Sequence, residues 1–286
     1  MTVTTLGRLL FAGIPLLRRA PLTVLIWGVC LFPVSVLSTL LSGLYDGVRG
    51  PWAYAVSSVG GEWIQFGLLF ANLLVMCAGM AILAAAVFRA VADPDRTNGR
   101  WMHVGSDEVR LCLVWCMLFL AGFAVVLVIM LVVIAVTRDT MLPSKTSMWL
   151  AASLAAAVVL ARFVLAPAMT VFERRVAVAD SWRMMRGRYG LAIVCALLFL
   201  LVYGGDEWLL SALGTVLRRG TSEASIGSGP FILELARYAA KPEHLVQDLA
   251  RVVTGTLSGV IAYAPLAVLY RDLTGRNPAD QAAVFD

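Results

Sequence analysis

Charge is scarce in this chain: 14% of its 286 residues are Asp, Glu, Lys or Arg, where a soluble domain carries roughly a quarter. With 60% hydrophobic residues alongside, that shortage excludes an ordinary water-soluble globular domain. Histidine is scarcer still. His103 and His244 stand alone in different loops, which leaves no histidine metal centre to build. No cysteine falls in an expected outer loop; Cys30, Cys77, Cys112, Cys116 and Cys195 all lie inside apolar blocks, so no disulfide framework is implied. Cys112 and Cys116 are one helical turn apart and share a face, which suits small apolar packing residues better than a metal pair. A nucleophile elbow, a phosphate-cradling glycine loop and a convergent set of acids or histidines are all missing, and intramembrane enzymes need such a set at one depth. The expectation is a non-enzymatic protein without cofactor or metal. A cleavable signal peptide is not expected either, because the first apolar block is too long for a signal core and lacks a small-x-small site.

What the chain has in place of these is long apolar blocks, at 21–44, 63–88, 111–137, 148–172, 189–203 and 252–270. Roughly twenty apolar residues cross a hydrocarbon core as a helix. The fold class expected is therefore all-α, a polytopic transmembrane bundle of six spans forming a single integral membrane domain over residues 1–286. The fifth block is short as it stands, and extends either back into 181–188 or past Gly204 and Gly205 into 208–216. The sixth is the least hydrophobic. Residues 1–20 read as an interfacial segment, 21–272 as the bundle, 218–251 as a long outer loop and 273–286 as a tail.

The net charge of +5 and a pI near 9.1 do not point to nucleic acid, because the basic residues sit in short loops rather than on one groove-reading face. Placed with the N-terminus inside, the inner segments hold 14 Lys and Arg against 8 in the outer ones. That is the positive-inside pattern, and it predicts both termini on the cytoplasmic side. Three inner segments, 6–19, 89–110 and 173–188, mix bulky apolar residues with arginine and read as amphipathic elbows whose arginines face anionic headgroups. Each elbow precedes an outgoing span with a similar core, 29–32, 115–119 and 194–199, which suggests three hairpins, each outward and back. In the outer loop, 231–239 and 242–251 have the amphipathic pattern of short helices lying on the outer leaflet.

Arg162 falls inside the fourth block, near the expected bilayer centre, where a charge is costly and should face the bundle and find partners. Asp206, Glu207 and Glu62 are the candidates, and the site is either a structural ion pair or a contact for a ligand or lipid. Polar faces mark the outer half of other blocks: Ser35, Ser38, Thr39 and Ser42 on the first, Glu62, Gln65 and Asn72 on the second, Thr254 and Ser258 on the sixth. Gly255 and Gly259 form a GxxxG that lets helix backbones approach. Such faces are ordinarily packing surfaces; with a buried arginine they also suit a small hydrophilic vestibule ending at Arg162.

The stretch from Arg162 through Pro167 and Glu173 to Ser181-Trp182-Arg183, Arg186 and Arg188, with the ending Leu269-Tyr270-Arg271-Asp272-Leu273, resembles the bacterial membrane proteins of the YciC-like group. Those are similar to the membrane domain attached to some glycerophosphoryl diester phosphodiesterases. The resemblance covers about thirty residues closely and the rest only in architecture. It implies a six-span module of the bacterial inner membrane linked to envelope lipids, and it carries over no catalytic residue. Physically, Pro167 can kink the fourth span, Ser181 can cap a following helix and Trp182 suits the interface. Arg183, Arg186 and Arg188 then face phosphates or simply enforce topology. Two functions remain open. One is binding or moving an anionic lipid or small metabolite near Arg162; the other is scaffolding a membrane-protein partner, a second copy or envelope lipids.

Overall fold

A computed structural model describes residues 7, 11–49, 61–92, 105–136, 158–159, 161–218 and 242–275. Every regular element among them is helical. In chain order these are α1 (Gly13–Arg19), α2 (Pro21–Arg49), α3 (Gly61–Ala92), α4 (Ser106–Val136), a 3-10 turn (Ala161–Phe163), α5 (Ala166–Glu173), α6 (Val178–Met184), α7 (Tyr189–Arg218) and α8 (Pro242–Thr274). Five of them, α2, α3, α4, α7 and α8, are long and apolar enough to cross a membrane. Residues 148–157 and 160 of the fourth apolar block lie outside the described residues, among which five candidate spans are found.

The short fifth block becomes a helix of 30 residues. It takes the second of the two extensions: α7 runs straight through Gly204 and Gly205, while 181–184 belongs to the separate helix α6. Glycine weakens a helix in water, but in lipid the unpaired backbone has no solvent to turn to and the helix carries on. At the other end of the outer loop, 242–251 is not a separate interfacial helix. It is the first part of α8, continuous with the last span. The expected helix at 231–239 lies outside the described residues.

The sixth block, least hydrophobic in sequence, proves the most enclosed. In α8, 61% of the spanning stretch is buried in the protein, against 28% or less for the other four. A helix surrounded by protein needs less apolar surface than one facing lipid, which explains its composition. Its neighbours fix directions. Thr39 of α2 meets Asp248 at the start of α8, while Gly28 lies against Val252 and Thr256 further along it, so α2 and α8 are antiparallel. Leu83 and Phe88 of α3 meet Gly259 and Tyr263 in the same order, so α3 runs parallel to α8. Phe199 touches Tyr263 and Asp206 lies by Gly255, making α7 antiparallel to α8.

Two close approaches seat α8. A Cβ on Gly13 would stand 2.9 Å from the Val260 carbonyl oxygen, so α1 rests directly on the backbone of α8. A Cβ on Gly259 would run into Leu83 of α3. The core beneath is aromatic: Trp115, Phe199 and Tyr263 meet with centroids 5.9–6.0 Å apart, Phe88 joins Tyr263 and Phe172, and Phe172 stacks on Tyr270 at 5.2 Å.

Candidate functional site

The elbow between α5 and α7 gathers the residues that the sequence marks. Pro167 sits at the start of α5, where its missing donor costs nothing. The fourth block is thus interrupted after Phe163 rather than merely bent, as the 3-10 turn shows. Arg174 ends α5 in the left-handed region, φ 52°, and sends the chain back so that α6 packs on α5. The Thr170 hydroxyl accepts the Ala177 backbone N–H at 3.3 Å, and the buried Ser181 hydroxyl donates to the Arg162 carbonyl at 3.1 Å. Ser181 therefore acts from inside α6 and is not its cap; the cap position is Ala177.

Arg162 is held by this elbow. Its guanidinium lies 4.1 Å over the Trp182 ring, and the same indole packs on Phe163 at 5.1 Å. A guanidinium over an indole face is attracted by the ring quadrupole, by about 0.5–1 kcal/mol at exposed sites and about 2 when desolvated. Trp182 stands only seven residues before α7 begins, so Arg162 belongs to the end of the bundle where the elbow lies and not to its middle. The expectation of a bilayer-centre charge took a straight fourth span for granted, and the break before Pro167 removes that premise.

Asp206 does not serve as its partner. It sits on α7 with a carboxylate oxygen 3.8 Å from where a Cβ on Gly255 would be, and its Oδ1 is buried with no hydrogen bond among the described residues. The side chains of Glu62 and Glu207 lie outside the described residues. Arg183, Arg186 and Arg188 are all exposed.

The polar faces of α2, α3 and α8 do come together, but largely to bond each other. Ser38 donates to Asn72 Oδ1 at 2.7 Å and Asn72 reaches Ser42 at 3.5 Å, joining α2 to α3. Thr39 donates to Asp248 at 2.7 Å, joining α2 to α8, and Arg251 stands 3.5 Å from the same carboxylate. Ser35 has a buried hydroxyl with no partner among the described residues. Gln65 and Ser258 are half-buried and make no side-chain bond with any described residue, and Thr254 bonds back to the Arg251 carbonyl at 3.4 Å. The bonds from Ser38 to Asn72 and from Thr39 to Asp248 are interhelical glue, away from the elbow.

Three groups went unmarked in the sequence. Asp248, only 4% exposed, was read as part of the outer loop. Arg89, expected in an elbow whose arginines face headgroups, is instead buried at 4% exposure and meets Glu108, 3% exposed, at 2.6 Å, with Asp107 at 3.8 Å. Glu108 also accepts the Gly105 N–H at 2.8 Å, half of a capping box at the start of α4; acids three residues after a glycine, just past an arginine-ended helix, were the available signal. The third is a chain of contacts at the elbow. Tyr270 donates to Glu173 at 3.2 Å, Glu173 takes Arg175 at 2.7 Å, Arg175 reaches Asp180 at 2.8 Å and Asp180 stands 3.5 Å from Arg183. Held by Glu173 first and Asp180 next, the Arg175 guanidinium keeps its proton even more firmly than usual.

Cys77 lies beside Cys112 and Cys116 across α3 and α4; all are free thiols. No group of three or more His, Cys, Asp or Glu among the described residues is arranged to hold a metal. No protein-family model matches the chain, and no curated protein or solved structure matches it either.

Proposed function

We propose that this chain is a non-enzymatic integral membrane protein that holds an anionic lipid or small anionic metabolite at the elbow, with Arg162 and Trp182 at its centre. One observation carries the reading: Arg162 is stacked on Trp182 within an elbow that presents Arg183, Arg186 and Arg188 outward. Tryptophan suits the headgroup level, and arginine matches phosphate or carboxylate with a rigid fork of donors. A bacterial inner membrane with both termini cytoplasmic belongs to the same reading, supported by the charge bias of the loops and by the YciC-like pattern of 162–188.

Six crossings in three hairpins also belong to it. Cys77 faces Cys116 while Arg89 meets Glu108, so α4 is antiparallel to α3 and leaves from the end where the elbow lies. Yet α5, through Phe172 and Tyr270, is back at that end. The fourth apolar block, 148–172, is our candidate for the return pass, and the packing of α2 on α3 and of α7 on α8 supports two of the hairpins.

The second reading is a scaffold for another membrane protein, and the interhelical bonds of Ser38, Asn72, Thr39 and Asp248 favour it. Purified protein exchanged into nanodiscs of phosphatidylcholine doped with phosphatidylglycerol separates the two. A lipid-binding elbow predicts that Arg162→Ala and Trp182→Ala each cut phosphatidylglycerol enrichment several-fold while the protein still elutes folded. A scaffold predicts unchanged enrichment and a lower melting temperature in the same variants.

A further inference from the structure

The charges of the elbow divide into two sets. Glu173 accepts from Arg175 at both Nε, 3.0 Å, and Nη2, 2.7 Å, and Asp180 lies between Arg175 and Arg183. Both acids are therefore engaged inside the elbow. Arg174, Arg186 and Arg188 are exposed and make no side-chain hydrogen bond or ion pair with any described residue. Residues 173–188 contain five arginines and two acids, so five positive less two negative leaves a surplus of three positive charges in the elbow.

Those three arginines are not in one place. Arg174 occupies the left-handed turn before α6, and Arg186 and Arg188 flank Gly187, φ 82°, just after it. The seven residues of α6 between them make a spacer about 10 Å long at 1.5 Å per residue. It is a fixed spacer: Ser181 is bonded to the Arg162 carbonyl, Trp182 is stacked on Phe163, and the Arg174 end is tied through Glu173 to Tyr270 of α8. At that separation each end can take a phosphate of its own.

We propose that the elbow engages two phosphate groups at once, one at Arg174 and one at Arg186 and Arg188, with α6 setting their separation. They are the two phosphates of one lipid or those of two neighbouring lipids. This rests on the anionic-lipid reading above. Two linked phosphates bind with an advantage of effective concentration that two separate lipids lack, on the order of tenfold or more.

Native mass spectrometry of the full-length protein, exchanged with cardiolipin, phosphatidylglycerol or phosphatidylcholine, tests this by counting lipids retained. A two-phosphate lipid as the ligand predicts one cardiolipin held at least tenfold more tightly than phosphatidylglycerol. Arg174→Asn, which suits the left-handed backbone, and the pair Arg186→Gln with Arg188→Gln should each bring cardiolipin down to the phosphatidylglycerol level. Two neighbouring lipids predict two phosphatidylglycerols on the wild type and one on either variant. The proposal is overturned if Arg174→Asn elutes folded and retains both anionic lipids as the wild type does; the anionic-lipid reading survives that result. If the wild type retains the anionic lipids no better than zwitterionic phosphatidylcholine, both fall together.

Discussion

Arg89 and Glu108 meet at 2.6 Å with 4% and 3% of their side chains exposed, at the joint between α3 and α4. An ion pair so deeply enclosed gives little net stability, because two charges were stripped of water to make it. Losing one partner is another matter, since the other is left buried and uncompensated. Glu108→Ala should therefore destabilise the protein by about 3–5 kcal/mol, read as a large fall in the detergent melting temperature. Asp107, 3.8 Å from the same guanidinium and also held by Arg110 at 3.0 Å, has lost less hydration, and Asp107→Ala should cost clearly less. Equal losses would mean that the cluster shares one charge and that burial at Glu108 does not set the cost. The Gly105–Glu108 spacing marks a helix start in the sequence, but not the burial of either carboxylate. Arg89 looked like any loop arginine at a basic elbow, and its burial depends on tertiary packing that brings the start of α4 against it.

Among the helices, spacing revealed less than the closure of one helix on another. The GxxxG of Gly255 and Gly259 was legible, but its two glycines do different work. A Cβ on Gly259 runs into Leu83, which is itself buried, whereas a Cβ on Gly255 meets nothing nearer than an Asp206 oxygen at 3.8 Å. Gly13, unremarkable in sequence, has the Val260 carbonyl oxygen at 2.9 Å and Ile261 Cα at 3.1 Å, and backbone yields less than a side chain. Gly13→Ala and Gly259→Ala should each cost about 1–3 kcal/mol from overpacking, while Gly255→Ala should be near neutral. Thermal melts of the three variants check the order; a Gly255→Ala loss matching the others would sink the assignment. The polar faces were legible in the same limited way. Helical periodicity put Ser35, Ser38, Thr39 and Ser42 on one side of α2, but not that Ser38 would take Asn72 and Thr39 would take Asp248. Asp248 was hidden because 242–251 has the pattern of a surface helix, and only α8 as a continuous rod carries it into the bundle.

For the whole molecule, hydropathy was enough to find the five helices long and apolar enough to span a membrane, because lipid imposes one rule on every residue it touches. It misplaced Arg162, because position within an apolar block gives depth only while the helix runs straight, and a 3-10 turn with Pro167 behind it ends that helix early. The same break bears on how many times the chain crosses. Arg110 begins α4 at the end where the elbow lies, and Arg174 closes α5 at that same end. The six-span proposal puts an even number of passes between them, of which α4 is one. Tyr45, near the finish of α2, lies at the opposite end, beyond Thr39 and its bond to the start of α8. In a cysteine-free background, Arg110→Cys and Arg174→Cys should react with a membrane-impermeant maleimide from one face only, and Tyr45→Cys from the other. Opposite faces for Arg110→Cys and Arg174→Cys would rule out a return between Val136 and Ala161 and leave five crossings. The same face for all three would mean that α2 does not cross, and the antiparallel packing of α2 on α8 would then have to arise within one leaflet. That is too thin for a helix of 29 residues, which extends about 43 Å at 1.5 Å per residue.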